Sequence, residues 1–164
     1  MTEARVRPAR LEDADQVAVL WDEMYCQQRS SGMQLPMRAD AVSIWRRQLT
    51  ADRLDSAVSV ILVAELSPAE TTISGFLAAQ IKRLPAHLIT SKSKVGFVSE
   101  IYVSPSARRH RVGRSLVDAA LRWFDRAEVG SVELQVLVDN AEARDFWSSI
   151  GFATELVQMR LRRD

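Results

Sequence analysis

Cysteine is all but missing: Cys26 stands alone in 164 residues, so no intrachain disulfide can form. Histidine is nearly as scarce. His87 and His110, joined by one thiol, make no convincing ligand set, so no metal is expected. Neither sign of charge prevails, because 22 Lys and Arg against 21 Asp and Glu leave a net charge of +1. Nothing in that balance points to nucleic acid or to an anionic membrane, and neither is expected as a partner. Long apolar runs are absent too. The best of them, Val58 to Leu66, is far too short to span a bilayer. The opening MTEARVRPARLEDADQ lacks the apolar centre of a signal peptide, so a cytoplasmic location is expected. No repeat, low-complexity stretch or composition break divides the chain. Residues 1–164 are expected to form a single domain with a sizeable core.

What is present alternates between strand and helix patterns. Ala4 to Arg7 reads as a short strand closed by Pro8. Leu11 to Arg29 has a helical stripe of Ala14, Val17, Ala18, Trp21, Met24 and Tyr25. A second helix is expected from Ala39 to Arg53, with Val42, Trp45 and Leu49 inward. Trp21, Tyr25 and Trp45 either line a substrate pocket or serve as core aromatics. Ala57 to Leu66 is a near-continuous apolar strand, as expected of one buried on both faces. A turn over Pro68 to Thr72 joins it to an antiparallel strand from Ile73 to Arg83. Leu84 to Lys94 is a long loop, and its His87 is either solvated or near a substrate. Later come a strand from Ser131 to Val138, a short helix capped by Asp139 or Asn140 and ended by Gly151, and a last strand from Ala153 to Arg162.

The most informative stretch lies between, from Val98 to Asp118. Phe97 to Val103 is a buried-strand pattern that stops at Ser104-Pro105-Ser106. A helical stripe of Val112, Leu116, Val117, Ala120, Leu121 and Phe124 follows. Arg108, Arg109, His110, Arg111 and Arg114 crowd the join. A helix N-terminus already carries partial positive charge and unpaired amides. Cations gathered there call for an anion, and a phosphate would engage amides and guanidinium groups together. The bland reading of the cluster is a solvated charge run.

This stretch resembles the acyl-CoA site of the GNAT family of N-acetyltransferases. Members carry Gln/Arg-x-x-Gly-x-Gly/Ala between a strand and a helix. Here it reads Arg108-x-x-Arg111-x-Gly113, with Arg111 in place of the first glycine. A second segment resembles the family's Asn-x-x-Ala-x-x-x-Tyr-x-x-x-Gly-Phe. Asn140, Ala143, Gly151 and Phe152 match, and Trp147 holds the tyrosine position. The resemblance implies a mixed α/β fold of order β-α-α-β-β-β-α-β-α-β and acetyl-CoA as co-substrate. It implies that Ile101, Tyr102 and Val103 pair through their backbone with the pantetheine arm. It also implies that Arg108, Arg109, His110, Arg111, Val112, Gly113, Arg114 and Ser115 hold the pyrophosphate. Asn140 would bond the cofactor arm, and Phe146 and Trp147 would pack near the thioester. The Val103 amide would polarise the thioester carbonyl.

A protonated amine is no nucleophile, so acetyl transfer needs a base. Glu100, just before the cofactor-pairing residues, is the candidate. Its bland reading is a structural carboxylate, and Ser99 is the alternative neighbour of the amine. Two-residue spacing puts Glu100 and Tyr102 on one strand face, and a bulge, common in the family, would change the register. The expectation is acetyl transfer from acetyl-CoA to a primary amine, on a small molecule or a peptide, by direct attack. A non-catalytic acyl-CoA-binding or regulatory domain of the same fold is the alternative. A nucleic-acid module built on the arginine cluster is a weaker rival, since no recognition fold accompanies it. The last strand leaves room for a homodimer.

Overall fold

A computed structural model describes residues 4–54, 56–66, 72–85, 87, 93–161 and 163. Strand β1 (Arg5–Pro8) leads through a single 3-10 turn, Leu11–Asp13, into α1 (Ala14–Ser30). Helix α2 (Ala41–Gln48) widens into a π-type turn over Leu49–Arg53 rather than running on as α-helix. Strands β2 (Ser59–Glu65), β3 (Gly75–Arg83) and β4 (Lys94–Val103) come next, then α3 (Val112–Arg126), β5 (Ser131–Leu134) and α4 (Ala141–Ile150). The five strands form one sheet in the order β1-β2-β3-β4-β5. All pairs are antiparallel except β4 and β5, which are parallel.

Each face of the sheet carries its own apolar layer. On one, Val17, Trp21 and Trp45 of α1 and α2 pack over Val63, Phe76 and Tyr102. On the other, Leu116, Phe124 and Trp147 of α3 and α4 pack over Leu62, Leu77 and Val98. Strand β2 feeds both layers, Val63 to the first and Leu62 and Ala64 to the second. That double burial is why its sequence is continuously apolar instead of alternating.

An ionic cluster ties the first strand and helix to the sheet. Arg7 donates to Asp13 at 2.7 Å and to Glu65 at 2.7 Å, and all three side chains are largely buried. The Arg10 amide adds a bond to Asp13 at 2.7 Å. The Arg7 guanidinium holds the Asp13 carboxyl below the usual carboxylate range, against the opposing effect of burial.

Four expectations need correction or bounding. The strand expected over residues 131–138 pairs only through Leu134. The last strand is not formed: residues 153–161 follow α4 without joining the sheet, and Arg162 lies outside the described residues. A strand needs a neighbour to accept its backbone bonds, and this segment has none among the described residues. The turn expected over Pro68 to Thr72 lies outside the described residues apart from Thr72. Of the loop from Leu84 to Lys94, only Leu84, Pro85, His87, Ser93 and Lys94 are described, with His87 exposed.

Candidate active site

The sheet opens where β4 and β5 part. Their ladder runs from Val95↔Ser131 to Val98↔Leu134 and stops. Strand β4 continues to Val103, still paired with β3 on its other side. Among the described residues, Ile101, Tyr102 and Val103 therefore have a strand neighbour on one side only. Their other edge offers backbone donors and acceptors to whatever lies between β4 and β5.

A bulge re-aims this strand. Ala78 faces Glu100 but Ala79 faces Val98, so Ser99 is the extra residue. Its hydroxyl lies 3.2 Å from the Ala78 carbonyl oxygen and 3.1 Å from Glu100 Oε2. One hydroxyl proton serves only one of these acceptors at a time. Beyond the bulge, Glu100 shares the face of Tyr102, towards α1 and α2. The Trp45 indole donates to Glu100 Oε1 at 3.3 Å from that side. Trp45 stacks on Trp21 with centroids 5.1 Å apart, and both are core residues. The aromatics thus follow the core reading, with Trp45 also touching the candidate base. A cavity of about 230 Å³ adjoins Ser99 and is lined by Ser59, Ile61, Ala78 and Gln80.

At the far end of β4, Pro105–Ala107 makes one 3-10 turn, and Arg108 to Arg111 lead into α3. Arg109 and Arg111 both take the left-handed conformation, with φ of 66° and 59°. Arg111 is the residue standing where the resembling motif has glycine, and its backbone shows why glycine suits that place. Helix α3 starts with no side-chain cap and no acidic residue in its first turn. The amides of Val112, Gly113 and Arg114 consequently lack a helical acceptor. Ser115 is the first residue to bond back, donating to the Arg111 carbonyl at 3.0 Å.

The arginines divide. Arg108 folds inward, donating to Gln27 Oε1 at 2.8 Å and to the Val103 carbonyl at 3.3 Å. Arg114 pairs with Asp118 one turn on, at 3.1 Å. His110 Nδ1 sits 2.9 Å from the Arg108 carbonyl oxygen. Arg109 and Arg111 are exposed and form no ion pair among the described residues. Behind this turn the Tyr102 hydroxyl titrates above its ordinary value. Burial is the main cause and the Glu23 charge adds to it, while Arg108 acts the other way.

Helix α4 closes the opposite wall. Asn140 caps it, Oδ1 accepting from the Ala143 amide at 3.1 Å. That leaves the side-chain amide nitrogen as the group it can offer a ligand. Gly151, at φ 108°, ends the helix as expected, with Phe152 donating to Trp147 at 3.1 Å. Phe146 reaches across to α3: a Cβ placed on Gly113 would stand 3.4 Å from Phe146 Cζ and 3.8 Å from Val103 Cγ2. Three residues expected at the cofactor, from β4, α3 and α4, thus meet. Trp147 does not join them. It is 6% exposed and packs on Phe146 and Phe152 as part of the core. Sequence reasoning missed Gln27, which holds Arg108 from 81 positions away, and the indole bond of Trp45. Neither pairing leaves a local signal.

The sequence profile of the acetyltransferase (GNAT) family matches residues 20–152. Among solved structures the chain is similar to an aminoglycoside N-acetyltransferase, AAC(6')-Iy, in complex with CoA, at 18% identity and a TM-score of 0.75. That match covers 99% of this chain and 96% of the other. The BH1408 protein from Bacillus halodurans is similar at 21% identity and a TM-score of 0.74, over 97% of this chain and 99% of that one. A ribosomal-protein-alanine N-acetyltransferase from Brucella melitensis biovar Abortus 2308 is similar at 18% identity and a TM-score of 0.70, over 98% and 99%. No curated protein sequence matches the chain.

Proposed function

The chain belongs to the acetyltransferase (GNAT) family, and from that premise we propose that it moves the acetyl group of acetyl-CoA to a primary amine by direct attack. The observation that carries this reading is the parted β4–β5 edge running into an uncapped, cation-lined helix start. An extended pantetheine arm fits the unpaired edge of Ile101 to Val103. The pyrophosphate fits the amides of Val112 to Arg114, with Arg109 and Arg111, which form no ion pair among the described residues, as the cations to meet it. Arg108 has a different part in this reading. Held by Gln27 and Val103, it steadies the end of β4 instead of contacting phosphate. Asn140 offers its amide nitrogen to the arm, and Phe146 packs beside Gly113.

Acetyl-CoA supplies the activated carbonyl. The Val103 amide is the donor that polarises it. The amine nitrogen forms a bond to the carbonyl carbon while Glu100, directly or through water, accepts the amine proton. The carbon–sulfur bond then breaks and CoA leaves as thiolate, which water protonates. A thiol with a pKa of about 8.5 needs no dedicated acid. That suits a site whose tyrosine position holds Trp147, a ring with no ionisable hydroxyl. The buried Trp147 also favours a second reading, an acyl-CoA-binding domain without turnover. The AAC(6')-Iy and ribosomal-protein-alanine enzymes differ in acceptor, so the proposal stops at a primary amine.

The test is thiol release from acetyl-CoA over a panel of amines that includes an aminoglycoside, a polyamine, free amino acids and peptide N-termini. Amine-dependent release with a matching acetylated product supports transfer. Tight acetyl-CoA binding with no release across the panel favours the binding domain. No binding removes both readings.

A further inference from the structure

The sheet face that carries α1 and α2 is only partly sealed. Its apolar layer buries Ile61 of β2 and Ala78 of β3. One pleat further on, Ser59 and Gln80 stand directly opposite each other and are half-buried. Alternation along each strand keeps Ser59 with Ile61, and Gln80 with Ala78, on this face. The cavity of about 230 Å³ is lined by these four residues and reaches Ser99 in the bulge of β4. Ser99 is therefore shared between the cavity and the candidate base, its hydroxyl standing 3.1 Å from Glu100 Oε2. Ala78 faces Glu100 across the ladder. Gln80 thus lies one pleat along and one strand over from Glu100, about 8 Å away between Cα atoms.

The lining has a definite chemistry. Ser56, Ser59, Gln80 and Ser99 bring three hydroxyls and one carboxamide, each able both to donate and to accept. The side chains of Ser59 and Gln80 make no hydrogen bond among the described residues. No charged residue is part of the described lining. Beyond Gln80 the same face carries a cation, Lys82, whose Nζ sits 3.5 Å from the centroid of the Phe97 ring. An ammonium group placed in this cavity would lose water, meet no carboxylate and be repelled by Lys82. A hydroxyl group placed there would find donors and acceptors. Size narrows the choice further. A cavity of about 150 Å³ accepts benzene, so this one suits a six-membered ring with its substituents.

We infer, on the premise of the acetyl transfer proposed above, that this cavity holds the body of the acceptor, and that the acceptor is a primary amine on a compact, uncharged, hydroxyl-bearing ring. The amine nitrogen lies at Glu100, and the ring hydroxyls bond Ser59, Gln80 and Ser99. Polyamines are poor acceptors on this reading, because their second cation has no counter-charge in the lining.

Ligand-observed NMR titration of the full chain, with CoA present, tests the inference without needing turnover. Glucosamine, one ammonium on a hydroxylated ring, is expected to bind at least tenfold more tightly than spermidine. Gln80→Leu removes both hydrogen-bonding groups from a half-buried strand position and is expected to weaken glucosamine about three- to tenfold. CoA affinity should stay as in the wild type. Gln80→Glu supplies a carboxylate and is expected to strengthen spermidine at least threefold; should one variant fail to fold, the other decides. Spermidine bound as tightly as glucosamine, or glucosamine not bound, overturns the inference. Affinities left unchanged by the folded variants overturn it as well. The expected affinities without release of thiol from acetyl-CoA in the presence of glucosamine would uphold the ligand class and remove the transfer reading instead.

Discussion

Arg111 allows stability and binding to be driven in opposite directions by one substitution. Its backbone sits at φ 59°, in the left-handed region. There a side chain costs about 1–2 kcal/mol relative to glycine. Glycine gives back about 0.5–1 kcal/mol through its freer unfolded chain. Arg111→Gly should therefore be stabilising by up to about 1.5 kcal/mol, a rise in melting temperature of up to about 6 °C for a domain of this size. The same change deletes a cation at the helix start. Losing one charge-assisted bond to a phosphate costs about 1.5–3 kcal/mol, or about ten- to a hundredfold in affinity. Arg111→Ala loses the cation and keeps the strained backbone, so it should bind as weakly without melting higher. Thermal unfolding followed by circular dichroism, and calorimetric titration with CoA, read the two effects separately. A lower melting temperature in Arg111→Gly refutes the strain argument. Unchanged CoA affinity in both variants refutes the phosphate assignment.

Other substitutions probe the remaining parts of the site and its supports. Glu100→Gln should lower kcat by at least a hundredfold at neutral pH, with acetyl-CoA affinity little changed and activity recovering at high pH as free amine accumulates; normal turnover would make Glu100 structural. Asn140→Asp should keep the melting temperature, because it still accepts from Ala143, yet weaken acetyl-CoA binding by removing the amide donor; wild-type binding confines Asn140 to capping. Asp13→Asn should cost about 3 kcal/mol in chemical denaturation, since Arg7 then loses one of its two buried partners. The Asp13 carboxyl is held low in the fold, so its contribution is whole above the unfolded value near 4 and fades as pH falls through the lower folded value. The stability gap between wild type and Asp13→Asn should accordingly be constant from about pH 5 to 7 and shrink below about pH 4. Gly96→Ala places a Cβ 2.7 Å from a ring carbon of buried Phe124 and should destabilise by about 1–3 kcal/mol, which the same denaturation series measures.

The parts of the fold written in local pattern were legible. The Pro105 stop, the α3 stripe, the Asn140 cap and the Gly151 terminator each depend on residues within a turn of one another. What escaped depends on partners far away in sequence. Arg108 reads as one more cation of the cluster, and its bond to Gln27 on α1 leaves no local signal. Trp147 reads as a site residue because it holds the tyrosine position of the resembling motif, but successive helical positions point in different directions, and it is Phe146 that reaches Gly113. The sequence pattern predicts helix through Arg53, whereas the backbone widens into a π-type turn after Gln48. Residues 153–161 are the sharpest case. Their alternation is a true strand signal, but a strand's hydrogen bonds are completed by a neighbour, which the local pattern does not name.

Amide hydrogen exchange of the full chain, with and without acetyl-CoA, bears most directly on where the cofactor is held. Slowed exchange is predicted at Ile101 to Val103, where the proposal pairs the pantetheine arm, and at Val112 to Arg114, whose amides lack helical acceptors. Protection elsewhere, with these two stretches unchanged while acetyl-CoA is bound, would contradict the site.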